Sequence, residues 1–295
     1  MQAGGIVRDI RNNSFAHLLI LPSVLLILAV VVYPIYYVAE FSFHRSIAFA
    51  KSDYVGLANF VALFDKRILG NAFASLIFVG GSIAIATAVG LALALVLNGK
   101  IVLRTTIRTI IFIPWVTSQI ASALVWRWLV NPDYGPVVHI LQQLGGPRVD
   151  LLGDAVLAMG VLIVTNAWRS IAFSMIVILA GLQTIPETVW RSAAVDGASR
   201  WMTFRHVIFP MILPSILVCV IMSSFSYFNI ITIPLVLTGG GPQSATELIT
   251  LRMYMEAFSF FNLGRASAIT ILILLMNVVL TFLYLKIPGG KGLTQ

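Results

Sequence analysis

Long apolar runs separated by short polar stretches organise this chain. A membrane-spanning helix needs about 20 consecutive apolar residues. Six segments meet that length: Phe15–Phe43, Asn71–Leu97, Ile107–Val130, Leu151–Leu182, Val207–Leu237 and Leu263–Leu285. An even number of spans puts both termini on one side of the bilayer. Pro22 and Pro34 fall inside the first segment and are expected to bend it, which lipid-embedded helices tolerate. Arg8 and Arg11 precede that segment as in a signal peptide. Its apolar run is too long for a signal core, so it reads as a retained helix. In the second segment, Ala86, Gly90 and Ala94 recur four apart and form a small-residue packing stripe.

Composition agrees with this pattern. Of 295 residues, 59% are hydrophobic and 10% charged, whereas soluble domains carry about 25% charged residues. The expected fold class is all-α: a polytopic membrane protein with about six transmembrane helices. The net charge of +8 is spread between apolar runs rather than clustered on one face. That distribution argues for membrane topology and against nucleic-acid binding. One set of loops holds Arg8, Arg11, Lys100, Arg104, Arg191, Arg200, Arg205, Lys286 and Lys291. The resulting bias predicts cytoplasmic termini. Residues 1–70 form an N-terminal segment, first helix and extracytoplasmic loop, 71–287 the main transmembrane domain, and 288–295 a tail.

Several chemistries lack their residues. No G-x-x-x-x-G-K-[ST] phosphate loop occurs, so the chain is not expected to be an ATPase or to bind a cofactor. Nor is there a G-x-S-x-G, an H-E-x-x-H or a pair of intramembrane carboxylates that would suit an enzyme. The four histidines lack metal-ligand spacing, and Cys219 is the only cysteine.

Charge inside the spans is rare, which singles out Arg169 near the centre of the fourth segment. A basic residue there costs on the order of 2.5–3.5 kcal/mol on insertion scales and should face protein or water. Two roles stand open: lining a solute pathway, or pairing structurally with Thr165, Asn166 or a neighbouring carbonyl. In the fifth segment, Ser223, Ser226 and Tyr227 share a helix face, with Asn229 around the side. Such groups suit a sugar site or interhelical hydrogen bonds. The run Gly239, Gly240, Gly241 and Pro242 reads as a tight turn, or as part of a gate or partner contact.

The polar stretch 183–206 between spans four and five is longer than a turn requires. Thr184 and Glu187 have capping-box spacing, predicting a helix that ends at Asp196 and Gly197. On it, Trp190, Ala193, Ala194 and Gly197 form a narrow stripe, with Glu187 and Arg191 as an i, i+4 pair. Ser199 is a candidate cap for a second short helix bearing Arg200, and Pro210 and Pro214 are expected to break the re-entry into the membrane. The stripe suits insertion into a partner's groove, while Arg200, Trp201 and Arg205 would equally suit a hairpin lying on lipid headgroups.

The stretch "PETVWRSAAVDGASRWMTFRHVIFPMILPS" resembles the EAA loop of the membrane subunits of bacterial ABC importers. In that family the pattern runs approximately E-A-A-x-x-D-G-A, then a basic-aromatic stretch and I-x-x-P-x-x-x-P. Ser192, Ala193, Asp196, Gly197, Ala198, Pro210 and Pro214 occupy matching positions. Arg191 stands where the family usually has glutamate, and Ser192 where it usually has alanine. "YVGLANFVALF" and "LVLTGGGPQSATELITLRMYMEAF" are similar to loops of maltose-type carbohydrate permeases, the first of the two permeases in such systems.

The resemblance implies a type I importer permease fold and a sugar or related solute as cargo. It also implies a second homologous permease, two ATPase subunits that hold ATP and Mg, and an extracytoplasmic solute-binding protein. Docking to the ATPases would fall to Glu187, Trp190, Arg191, Ala193, Ala194, Asp196, Gly197 and Arg200. Candidates for the solute path are Arg169, Ser223, Tyr227 and Asn229. The rival readings are an ion-gradient-driven secondary transporter and an importer permease for a non-sugar solute such as a glycerol-phosphate ester.

Overall fold

A computed structural model describes residues 18–47, 50–99 and 102–286. Arg8, Arg11, Lys100, Lys291, the Phe15 start of the first segment and the 288–295 tail lie outside the described residues. Among the described residues, five helices are long and apolar enough to span a bilayer, and a sharply bent helix pair makes a sixth if taken as one span. The five are α1 (Leu18–Ser42), α3 (Lys66–Asn98), α7 (Ala155–Gln183), α9 (Arg200–Phe228) and α12 (Leu263–Leu285). The bent pair is α4 (Arg104–Val116) and α5 (Gln119–Leu129). Shorter helices lie between them: α2 (Ala58–Val61), α6 (Pro136–Gln143), α8 (Glu187–Val195), α10 (Thr232–Leu237) and α11 (Ile249–Phe258).

The chain groups into two units, one running to Leu63 and including Glu256–Ile271, the other comprising Phe64–Met255 and the residues from Leu272 onward. In the first, α1 is followed by a two-stranded antiparallel hairpin, β1 (His44–Ile47) and β2 (Ala50–Tyr54). This short hairpin is a local addition to the helical fold, whose all-α class holds. Asn59 donates to the carbonyls of Ser42 and His44, both at 2.9 Å, and so fastens α2 to the hairpin's base. Within the same unit, Ser46 Oγ accepts from the Gly264 amide at 3.0 Å.

The second unit is built on α3 and α7, its most extensive helix pair. Ala86, Gly90 and Ala94 are buried along their seam. A Cβ at Gly90 would lie 2.6 Å from the Ser174 Cβ, so glycine is what permits this approach. Two apolar clusters hold the helices. Phe78, Leu162, Phe228, Ile233 and Leu237 centre one. Leu97, Met175, Ile178, Leu182, Ile208 and Ile212 centre the other. Cys219 is buried, with Sγ 3.4 Å from Ser174 Oγ.

Three expectations are corrected. First, the third segment is no straight span, because its two halves meet at 96°. Pro114 removes a helical donor near the end of α4, Thr117 is extended, and Ser118, with ψ of 141°, is also outside the helical region. Second, the fifth span begins at Arg200 rather than Val207, and Pro210 and Pro214 do not break it. A π-helical turn at Phe204–Ile208 immediately precedes Pro210 and absorbs its missing amide. That span ends at Phe228, and α10 is a separate short helix packed against α5. Third, Thr184 does not open a capping box. It closes α7, with its hydroxyl donating to the Gly181 carbonyl at 2.8 Å. Pro186 stands at the N-cap of α8 without a side-chain cap.

Candidate functional site

Arg169 and the polar face of α9 meet at one cavity. The face of α7 carrying Asn166, Arg169, Ser170 and Phe173 opposes Met222, Ser223, Ser226 and Tyr227 of α9. Trp115 and Gln119 enter from either side of the 96° break, and Ile230 completes the lining of a space of about 320 Å³. The helix break thus places two side chains that a straight span would have carried past the site. Arg169 Nη2 lies 3.5 Å from the Thr117 carbonyl, one of the acceptors freed at the break. Among the described residues, Asn166 Nδ2, Arg169 Nε and Tyr227 Oη are enclosed without a hydrogen bond of good geometry. Ser170 and Ser223 border the Tyr227 phenol. Asn229 is not part of this group: it is exposed, and its Nδ2 donates to the Phe225 carbonyl at 2.7 Å.

Trp115, Gln119 and Asn166 were not among the sequence candidates. Asn166 was legible at the i, i+3, i+4 spacing it shares with Arg169 and Ser170. Trp115 and Gln119 converge only because the helix bends.

At the far end of α7 the chain turns into α8. The helix covers Glu187–Val195, Asp196 closes it, and Gly197 takes a φ of +72°, a left-handed conformation that glycine adopts readily. Ser199 caps α9, accepting from the Met202 amide at 3.3 Å. The Trp190–Gly197 stripe divides. Ala193 is buried, and Trp190 and Val189 pack onto the apolar cluster of α7 and α9. Ala194, Val195, Asp196, Gly197 and Arg200 are exposed, Val195 by 86%. Arg191 Nη2 pairs with Glu187 Oε1 at 3.0 Å on the solvent side. A glutamate carboxylate therefore lies beside the position where the importer family usually carries one.

The glycine run lies in the segment between α10 and α11. Gly239 and Gly240 take φ of +62° and +87°, and the Gly241–Pro242 bond is cis. Thr246 Oγ1 donates to the Gly241 carbonyl at 2.6 Å and closes the turn. Beside it sits a charge cluster that sequence reading did not single out. Glu247, with 4% of its side chain exposed, accepts from Arg67 Nη2 at 2.8 Å and Asn71 Nδ2 at 3.0 Å. Arg252 Nη1 approaches it at 3.4 Å. Burial pushes the Glu247 carboxyl up, but hydrogen bonds from Arg67, Ser244 and Asn71, with the Arg67 charge, hold it below the ordinary glutamate range. The Ile249 amide donates to Ser75 Oγ at 2.8 Å, fastening the start of α11 to α3.

A polytopic helical bundle with a partly polar cavity between two spans and a short helix joining them suits a membrane transport subunit. Residues 86–287 match the family model described as "Binding-protein-dependent transport system inner membrane component". The chain belongs to that family and is the multi-pass permease component of an ABC importer. It is 33% identical over 282 residues to the trehalose/maltose transport system permease protein MalF of Thermococcus litoralis, covering 94% of each chain. It is 31% identical over 273 residues to the sn-glycerol-3-phosphate transport system permease protein UgpA of Brucella abortus, covering 92% of this chain and 93% of that one. Its fold matches a chain of a crystallised bacterial alginate ABC transporter with a TM-score of 0.81. The match covers 96% of this chain and 98% of that one at 22% identity. Family membership leaves the ion-gradient-driven alternative without support.

Proposed function

We propose that this permease forms the translocation pathway for a sugar or related polyhydroxylated solute through the cavity between α7 and α9. The carrying observation is the cavity itself, in which Arg169, Asn166 and Tyr227 hold unused hydrogen-bonding atoms inside the apolar spans. Leaving such atoms unpaired in a bilayer is costly, and a polar solute or its hydration water offsets that cost. The names of the relatives, a trehalose/maltose permease and a glycerol-phosphate permease, support a carbohydrate or a polyol ester as cargo.

Partners complete the machine. A second homologous permease, two ATPase subunits holding ATP and Mg, and an extracytoplasmic solute-binding protein surround this chain, which itself hydrolyses nothing. The termini and α8 face the cytoplasm. The exposed face of α8 and the start of α9 (Arg191, Ala194, Val195, Asp196, Gly197, Arg200) meets an ATPase subunit, with Glu187 at its edge. Trp190 and Ala193 act from beneath, tying the docking helix to α7 and α9. ATP-driven closure of the ATPase pair then moves the spans, provided the pair binds one transmembrane state preferentially.

The test uses the intact importer in proteoliposomes. Ser223→Trp, which fills the cavity, is expected to abolish ATP-driven uptake while ATPase subunits remain bound. Uptake at the wild-type rate in that variant would place the pathway elsewhere.

A further inference from the structure

We propose that the cargo carries an anionic group on a hydroxylated body, as in a sugar acid, sugar sulfonate or sugar phosphate ester, and that Arg169 selects for it. The inference rests on the pathway reading above and deepens it.

The cavity's chemistry is unbalanced. Its lining offers donors from Arg169, Asn166, Gln119 and Trp115, and hydroxyls from Ser170, Ser223, Ser226 and Tyr227, but contains no Asp or Glu. A neutral sugar donates about as many hydrogen bonds as it accepts, so a site made for one gains from carboxylate acceptors. Here the one charged group is a guanidinium. No carboxylate pairs with Arg169 among the described residues, and its Nη2 makes only a long 3.5 Å approach to the Thr117 carbonyl. Among the described residues its Nε has no partner, nor does Nδ2 of Asn166, a residue that is 1% exposed. A cation in a span costs on the order of 2.5–3.5 kcal/mol on insertion scales, and no carboxylate among the described residues neutralises it. An anion presented beside Nε would do so through charge-assisted hydrogen bonds, about twice as strong as neutral ones. The hydroxyls of α9 on the opposite wall would then meet the polyol body.

Glucose and glucuronate separate the two chemistries, since they share a ring and differ in the charge at one carbon. Saturation-transfer NMR on the purified importer complex, without its solute-binding protein, measures both directly. Glucuronate is expected to bind at least about tenfold more tightly than glucose and to weaken as salt rises. Arg169→Gln should bring glucuronate to the level of glucose, and Arg169→Lys should keep part of the preference. Thermal melts of both variants check that the fold survives.

Equal binding of the two sugars, no binding of either, or an unchanged preference in Arg169→Gln would overturn the proposal. If equal binding is lost in Ser223→Trp, the pathway reading stands and only the anion preference falls. If glucuronate binding persists in Ser223→Trp, the bound site lies elsewhere and both fall.

Discussion

The segment joining α7 to α9 carries its charges in solvent, whereas the segment joining α10 to α11 buries them. Glu187 and Arg191 pair at 3.0 Å with 77% and 73% of their side chains exposed. Glu247 sits at 4% exposure among Arg67, Asn71 and Arg252. An exposed pair gains little because water screens it, so α8 is held down by apolar Val189, Trp190 and Ala193 instead. In the buried cluster, removing one partner leaves an uncompensated charge. One segment is thus lightly fastened with an open face, and the other is pinned to α3 by groups that cannot part cheaply. This difference is what a machine needs if one end receives a moving partner and the other serves as a fixed support.

The largest effect expected from this comparison is at Glu247. Glu247→Ala should destabilise the chain by roughly 3 kcal/mol, read as a lowered midpoint of denaturation in mixed micelles. Glu187→Ala should change it by less than about 0.5 kcal/mol. Equal effects would erase the distinction. The pH dependence follows from the same carboxyl. Its folded-state pKa is depressed, so its stabilisation is complete above the ordinary glutamate value and is lost as pH falls through the lower folded value. Denaturation midpoints of wild type and Glu247→Gln should therefore differ most near neutrality and converge in acid.

Next in size is the buried side of α8. Ala193→Leu overpacks a buried position on α8 and should cost about 1–3 kcal/mol. Val195→Ala on the opposite face should stay within about 0.5 kcal/mol. Ser199→Ala removes the cap of α9 and should cost about 1 kcal/mol. A denaturation midpoint unchanged in both Ala193→Leu and Ser199→Ala would mean that the hairpin is not fastened where its contacts indicate.

The apolar runs announced the spans because hydrophobic length is a direct physical requirement of the bilayer. Their ends were less legible. Hydropathy places the start of the fifth span after the basic residues, but Ser199 caps the helix eight residues before Val207. Pro210 suggested a break because a proline lacks a donor, and the π turn at Phe204–Ile208 removes that need. The Trp190 stripe was correctly periodic yet ambiguous, since a narrow apolar face can serve a partner or the chain's own core. The stripe divides instead: Ala193 is buried and Trp190 packs on the apolar cluster, while Ala194 and Gly197 stay exposed. At the cavity, Arg169, Ser223 and Tyr227 stood out as polar residues in apolar surroundings. Trp115 and Gln119 did not, because the 96° bend that aims them arises from the non-helical Thr117–Ser118 pair, which no periodicity signals. Glu247 was hidden for a related reason. Its partners Arg67 and Asn71 lie 180 and 176 residues away along the chain.

We propose above all that ATP-driven motion enters the membrane domain through the exposed face of α8. The direct test is ATP-driven uptake by the reconstituted importer carrying Val195→Asp, a change at a residue 86% exposed and outside both apolar clusters. Uptake should fall at least about tenfold, while the amount of permease in the membrane and its denaturation midpoint stay unchanged. Wild-type uptake in that variant would contradict the claim.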